Sequence, residues 1–239
     1  MPRFSVLIPA RNEEKYLPGC LDSIRAAAAA LGEAVEMVVA LNRCTDRTEE
    51  IALAAGAKIV RDDSRCMARI RNAAARAATG EIVVTIDADS RMSGNMLVEI
   101  DRLLRSGHII GGGVLILPER WSLGILLTVL MLMLAMATVW RRVSAGLFWC
   151  RREDFQAVGG FNEHLASLED LDFAKRLKAY GKQRGKRFKT ITRAHIVTSC
   201  RKFDHFGDWY LLLHPFLVRR LLAGKSQEDA DRFYYDVEH

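Results

Sequence analysis

The chain has 239 residues, half of them hydrophobic, and carries 35 Lys and Arg against 29 Asp and Glu, a formal charge of +6. That length suits one α/β domain with a sizeable core, and the mild basic excess fits an anionic ligand or an anionic membrane surface without requiring either. Five scattered cysteines (Cys20, Cys44, Cys66, Cys150, Cys200) contain no C-x-x-C pair, which excludes a disulfide framework or a thiolate zinc site and points to a reducing, cytoplasmic compartment.

No long Pro-, Gly- or Ser-rich linker divides the chain, and no internal repeat is evident. Met1 to Ala10 is too short, and too quickly followed by Arg11, Glu13, Glu14 and Lys15, to act as a signal peptide. Phe4 to Pro9 reads as a buried strand. Glu13 to Ala30 then repeats apolar residues at helical spacing through Leu17, Leu21 and Ile24. Val35 to Leu41 is a second strand, Asp46-Arg47-Thr48-Glu49 has the capping-box spacing that opens a helix, and Gly56 closes it. A third strand spans Ala57 to Arg61, a helix spans Arg65 to Ala78, and a fourth strand runs from Glu81 to Ile86. This β-α alternation predicts a mostly parallel sheet with helices on both faces, and the loops after strands one, two and four open on one edge.

The fourth strand delivers Thr85-Ile86-Asp87-Ala88-Asp89-Ser90 to that edge, which is where open α/β sheets bind ligands. Residues two apart on a strand share a face, so Asp87 and Asp89 are placed to hold a divalent cation, and with it phosphates that a lone carboxylate would repel. Two acids after a strand are also ordinary solvated turn residues. The first loop, Pro9-Ala10-Arg11-Asn12-Glu13-Glu14, has no glycine fingerprint, so a dinucleotide site with its pyrophosphate on a Gly-rich turn is not expected.

Four islands in order, VLIPARNEEKYL, LNRCTDRTEEIA, IDADS, and GGFNE with LEDLDF, span residues 4 to about 176 and continue weakly in VTSCRKF. In these the chain resembles the family 2 glycosyltransferases, which have the GT-A fold and transfer sugars from nucleotide donors. The resemblance implies a single GT-A domain. Its nucleotide-sugar-binding half would span residues 1–92, its acceptor and catalytic half 93–205, and a helical extension 206–239. It also implies that Pro9, Ala10, Arg11, Glu13 and Asn42 embrace the base and ribose and that Arg71 lies near the donor phosphates. Asp87 would contact the ribose or sugar, and Asp89, with Asp87, would ligate Mg²⁺ or Mn²⁺, ions suited to hard oxygen ligands. Where relatives more often have two acids and a glycine, this chain has Leu41, Asn42, Arg43 and Cys44. The Asn42 amide offers a donor and an acceptor to a base edge. For Arg71 an ordinary surface helix arginine is an equal reading.

The acceptor side needs one carboxylate to take the hydroxyl proton as the anomeric carbon is attacked from the face opposite the leaving diphosphate. The resemblance implies Asp170, in Leu168-Glu169-Asp170-Leu171-Asp172-Phe173 after the turn Gly159-Gly160, as that base, and inversion of configuration as the outcome. Glu169, Asp170 and Asp172 also open an expected helix, Asp170 to Tyr180, where acids complement the macrodipole whatever the function. Lys182, Arg184, Lys186, Arg187 and Lys189 read as a solvated stretch after that helix. Arg201 and Lys202 follow an expected strand, Ala194 to Thr198, and are candidates for the leaving diphosphate. His195, a metal ligand in some relatives, reads here as a packed strand residue.

Trp121 to Trp140 holds no charged residue and precedes Arg141 and Arg142. As a helix it would be long enough to cross a bilayer, yet a single crossing would put Asp89 and Asp170 on opposite sides of the membrane. The expectation is therefore a helix buried in the core, lying along the membrane interface or pairing with a second subunit, with the protein peripheral at the inner face. Trp209 to Val218 is a second apolar patch, and Glu228 to Glu238 reads as a solvated acidic tail with Phe233, Tyr234 and Tyr235 as a docking element. No feature suggests nucleic acid as a partner. Two other function classes remain open: a haloacid-dehalogenase-like phosphohydrolase with Asp87 as nucleophile and Asp89 as acid, and a non-catalytic nucleotide- or membrane-binding module.

Overall fold

A computed structural model describes residues 2–138, 146–165 and 168–214. Arg141, Arg142, the end of the 121–140 segment, residues 215–218 of the second apolar patch and the acidic tail lie outside the described residues. Strands β1 (Phe4–Ala10), β2 (Val35–Leu41), β3 (Lys58–Arg61) and β4 (Ile82–Thr85) alternate with helices α1 (Leu17–Leu31), α2 (Thr48–Ala54) and α3 (Met67–Ala77). β1 pairs in parallel with β2 and β4, and β2 with β3. β1 is buried along its whole length, as expected of a strand covered on both faces. Its Phe4, Val6 and Ile8 pack with Leu17, Leu21 and Ile24 of α1, while Leu7 packs with Ala74 of α3 on the other face.

The second half extends this sheet with β5 (Ser90–Met92), β6 (Ile109–Pro118), β7 (Trp149–Arg151) and β8 (Arg187–Thr198), giving the order β3-β2-β1-β4-β7-β6-β8-β5. β7 is antiparallel to β4 and β6, and β5 to β8. The join depends on glycines in β6. A Cβ at Gly112 would lie 1.7 Å from the Lys189 carbonyl oxygen, so only glycine lets β8 and Trp149 close on this strand. The Trp149 Nε1–H donates to the Gly113 carbonyl at 3.2 Å.

Helix α4 (Met96–Arg105) covers the α1 face, and α6 (Arg152–Ala157) and α7 (Glu169–Gln183) cover the α3 face. There Phe148, Phe155, Phe161 and Phe173 form an aromatic cluster, with Phe161 and Phe173 centroids 4.7 Å apart.

One expectation is refined and two change. The basic stretch is largely exposed, as expected, but Arg187 and Lys189 lie in β8, where they alternate with less exposed Phe188 and Thr190. Asp87 and Asp89 do not share a strand face. β4 ends at Thr85, and both acids occupy the turn before β5, where the Ser90 N–H donates to the Asp87 carbonyl at 3.0 Å. The apolar segment forms α5 (Leu123–Thr138), which is not a core helix: Ile125 and Thr128 are buried, but Leu123, Leu126, Leu130 and Met133 are exposed. Among the described residues no helix is long and apolar enough to cross a membrane.

Candidate active site

The loops after β1, β2 and β4 and the start of α7 meet at one edge of the sheet, and two arginines, one buried and one partly buried, organise the carboxylates there. Arg71, on α3, is almost fully buried. Its Nη2 lies 2.8 Å from Asp87 Oδ1, and its Nη1 lies 2.8 Å from Glu169 Oε1 and also bonds Asp170 Oδ1. The guanidinium rests 5.5 Å from the Phe161 ring centroid. Arg71 is therefore not a surface helix arginine. It joins the IDADS turn to the first turn of α7 across the aromatic cluster.

Helix-dipole complementarity alone does not account for the α7 acids. Asp172 turns to Arg176 at 2.7 Å, an ordinary i,i+4 pair, whereas Glu169 and Asp170 turn to Arg71. The helix starts after Leu168 in a left-handed conformation, φ 63°. Upstream, Gly160 (φ 65°) brings the chain so close to α3 that a Cβ would meet Asn72 Oδ1 at 2.7 Å. Asn72 clamps this turn by donating to the Phe161 carbonyl and accepting the Phe161 N–H, both at 2.9 Å. Burial pushes the Asp170 carboxyl well above the usual carboxylate range, with repulsion from Glu169 and Asp87 adding to it and Arg71 pulling the other way.

The second arginine, Arg201, opens α8 (Arg201–Phe206) directly after β8. Its Nη2 lies 2.8 Å from Glu13 Oε1 and 3.3 Å from Asp89 Oδ2. Ser199 braces Asp89 twice: its Oγ–H donates to Oδ2 at 2.9 Å and its N–H to the Asp89 carbonyl at 3.1 Å. Burial lifts the Glu13 carboxyl to about 7 against the pull of Arg201, and burial lowers the neighbouring Lys202 to about 8.

On the nucleotide side, the Glu13 N–H donates to Thr48 Oγ1 at 2.7 Å and the Glu14 N–H to Asp46 Oδ2 at 3.0 Å. The expected capping residue Asp46 therefore ties the first loop to the second as well as bonding the Thr48 N–H. Pro9 and Ala10 end β1 at this edge, and Arg11 follows in the same loop. Asn42 is buried, and its Nδ2 donates to the carbonyls of Asp62 and Ser64 at 2.6 and 2.8 Å. Both amide hydrogens are committed to the 62–64 loop. His195 lies on β8 with its backbone bonded to Ser93.

Asp87 and Asp89 supply carboxylate oxygens, the donor chemistry of a hard divalent cation. Among the described residues no group of three or more His, Cys, Asp or Glu side chains is placed to hold a metal ion, so a cation bound here would complete its shell with phosphate and water oxygens. Residue spacing indicated Asp87 and Asp89, and the resemblance Asp170, but neither indicated Arg71 with Glu169, or Ser199, as their partners. For Ser199 the weak VTSCRKF island was the available signal.

Residues 5–120 match the model of Glycosyl transferase family 2. Over 123 residues the chain is 36% identical to the undecaprenyl-phosphate 4-deoxy-4-formamido-L-arabinose transferase of Pseudomonas aeruginosa, covering 46% of this chain and 34% of that protein. The chain spans about a third or less of the length of the curated relatives it matches, 22% in one case. Among solved structures, S. aureus TarS in complex with UDP-GlcNAc superposes with a TM-score of 0.65 at 19% identity, over 97% of this chain and 70% of that one. A Pyrobaculum calidifontis mannosyltransferase in complex with GDP-Man and Mn²⁺ gives 0.63 at 20% identity, over 97% and 68%. At such identities the likeness is one of fold, and it extends through the second half that the family match leaves uncovered.

Proposed function

We propose, from the match of residues 5–120 to the model of Glycosyl transferase family 2 and from the site geometry, that the protein is an inverting glycosyltransferase of that family. It would move a sugar from a nucleotide diphosphate sugar to an acceptor whose oxygen nucleophile Asp170 deprotonates. The observation that carries this reading is the convergence on Arg71 of Asp87 from the nucleotide-binding half and Asp170 from the acceptor half.

In this reading Pro9, Ala10, Arg11 and Glu13 line the base and ribose site, and Asn42 shapes it through the 62–64 loop that it holds. Asp87 contacts the donor ribose or sugar. Asp89, with Asp87, supplies ligands for Mg²⁺ or Mn²⁺, a cation that when bound offsets the diphosphate charge. Arg201 and Lys202 face the leaving diphosphate, where fixed cations stabilise the charge that develops as the glycosidic bond breaks. Arg71 is a positioning residue, because its bonds are taken by carboxylates. Asp170, raised by burial, is a stronger base than a solvated carboxylate once ionised.

The Pseudomonas relative's name specifies a lipid-phosphate acceptor. Together with the exposed apolar helix, this supports a lipid-linked or envelope-glycan acceptor and a site of action at the inner face of the membrane. The five cysteines are all unpaired thiols, in keeping with a reducing compartment. The phosphohydrolase reading is less favoured, since a nucleophilic Asp87 would have its Oδ1 held by Arg71.

A thermal-shift panel of UDP, GDP, CDP, ADP and their common sugars, with Mn²⁺ and with chelator, tests the proposal. Ligand at about 100 times its dissociation constant adds about 2.7 kcal/mol, visible as a shift of about 5–10 °C in a domain of this size. The expected result is a metal-dependent shift with one nucleotide and its sugar. Silence across a folded sample would contradict it, and phosphatase activity lost in Asp87→Asn would favour the phosphohydrolase.

A further inference from the structure

α5 lies on the fold with only a narrow inward stripe. Gly124, Ile125 and Thr128 are buried, and a Cβ at Gly124 would meet the Asp208 carbonyl oxygen at 2.7 Å, so this end of the helix is seated tightly. The outward stripe, Leu123, Leu126, Leu127, Leu130 and Met133, follows the same helical period, with exposures of 63% at Leu123, 61% at Leu130 and 57% at Met133. A helix facing water carries polar residues on that side; here the outer face is as apolar as the inner one.

The patch continues beyond α5. Helix α9 (Tyr210–Leu213) packs beside it and adds exposed Trp209 and Leu213, and Trp121 stands exposed just before α5. A contiguous apolar surface of this kind on a monomer marks an interaction site. Indoles at its edge are the side chains that settle at the level of lipid headgroups.

We propose that the outer face of α5, with Trp121 and the Trp209–Leu213 segment, docks the protein on the surface of an anionic lipid bilayer without crossing it. Charge favours this occupant. A chain of net charge +6 is drawn to a negatively charged leaflet, whereas a second copy of the same chain carries the same sign. Placement favours it too. β6 leads into α5, and the Glu119 N–H donates to the Thr198 carbonyl at 2.9 Å, next to the Ser199 that braces Asp89. The docked face therefore begins at the rim of the candidate active site. The use of this position to meet a membrane-anchored acceptor rests on the transferase reading; the docking itself does not.

The test is flotation of the full chain with vesicles of phosphatidylcholine containing phosphatidylglycerol, and with phosphatidylcholine alone. The wild type is compared with the triple variant Leu123→Glu/Leu126→Glu/Leu130→Glu and with a milder Leu126→Gln/Leu130→Gln. Light scattering gives the mass of each protein, and thermal unfolding establishes that each is folded. The expected result is flotation of a monomeric wild type with the anionic vesicles, weakening with salt, and falling at least tenfold in a variant that melts as a folded protein. A folded wild type that stays at the bottom of the gradient overturns the proposal, as does equal flotation of the folded variants. A wild-type dimer that the variants dissolve, with neither form floating, also overturns it and makes the occupant a second copy. Nucleotide binding measured on the same samples keeps failure of the transferase reading distinguishable from failure of docking.

Discussion

The two arginines of the candidate site sit in opposite electrostatic situations. Arg71 is shared by three carboxylates, Asp87, Glu169 and Asp170, so its surroundings carry an excess of negative charge when all are ionised. Arg201 meets Glu13 and Asp89, with Lys202 beside it and Glu13 already lifted by burial to about 7. In the proposed reading the first cluster, short of cations, supplies the base, and the second offers cationic charge to the leaving diphosphate. A nucleotide-sugar site needs both, because one end of the donor leaves as a diphosphate while the other is attacked by a deprotonated acceptor. In that reading the division also separates Arg71, which ties three carboxylates together, from Arg201, which pairs with Glu13 and Asp89 and would face the diphosphate.

Substituting the two arginines is the strongest way to break this comparison. Arg71→Met leaves three carboxylates without their cation; removal of one partner from a buried charge cluster costs about 3–5 kcal/mol. A correspondingly large fall in the denaturation midpoint is expected, with nucleotide binding lost only as folding is lost. Arg201→Met strands Glu13, which neutralises readily, and Asp89, which keeps its Ser199 bonds, so the fold should survive while kcat falls by about 10²–10³, the cost of removing one preorganised donor to developing charge. Steady-state kinetics on a variant with a wild-type melting curve checks this, and equal destabilisation by the two substitutions would erase the distinction.

Titration sharpens the same contrast at smaller scale. Asp170 must be ionised to act as a base, and burial raises it. The acidic limb of the kcat/KM profile should therefore have its midpoint above the ordinary carboxylate range, with about a tenfold loss per pH unit below it. The Glu13 effect is smaller. Its folded value of about 7 lies above the ordinary carboxyl value of 4.5, so its contribution to stability is fully present below about pH 4.5 and is lost as pH rises through about 7. Glu13→Gln should flatten the fall in denaturation midpoint between those pH values, whereas a parallel fall in both proteins would show that another group is responsible.

Much of this was legible in the sequence, and the gaps have physical causes. The first four strands and three helices could be read because strands buried on both faces are continuous apolar runs separated by helical periodicity. β6 escaped notice because Gly111, Gly112 and Gly113 carry no side chains to show alternation, and β5 and β7 have three residues each. Only the end of β8, Ala194 to Thr198, was read as a strand, because the exposed positions of its first part hold Arg187, Lys189 and Arg193. At the site, spacing found the acids and resemblance found Asp170. The bonds that assign Asp87 to Arg71 and Asp89 to Arg201 form between residues 16 to more than 100 positions apart, beyond the reach of any local pattern. Asn42 shows the same limit, since the sequence offered its amide to a base while the fold commits both amide hydrogens to backbone carbonyls.

The most direct measurement is a side-by-side titration of Asp89→Asn and Asp170→Asn with the nucleotide sugar that stabilises the wild type, in Mn²⁺ and in chelator, with transfer assayed on the same samples. The account predicts that Asp89→Asn loses the metal-dependent stabilisation. Asp170→Asn should keep it while transfer falls by at least about 10²–10⁴. Near wild-type transfer by a folded Asp170→Asn, or metal-dependent binding undiminished in Asp89→Asn, would contradict the division of labour between the two arginine clusters.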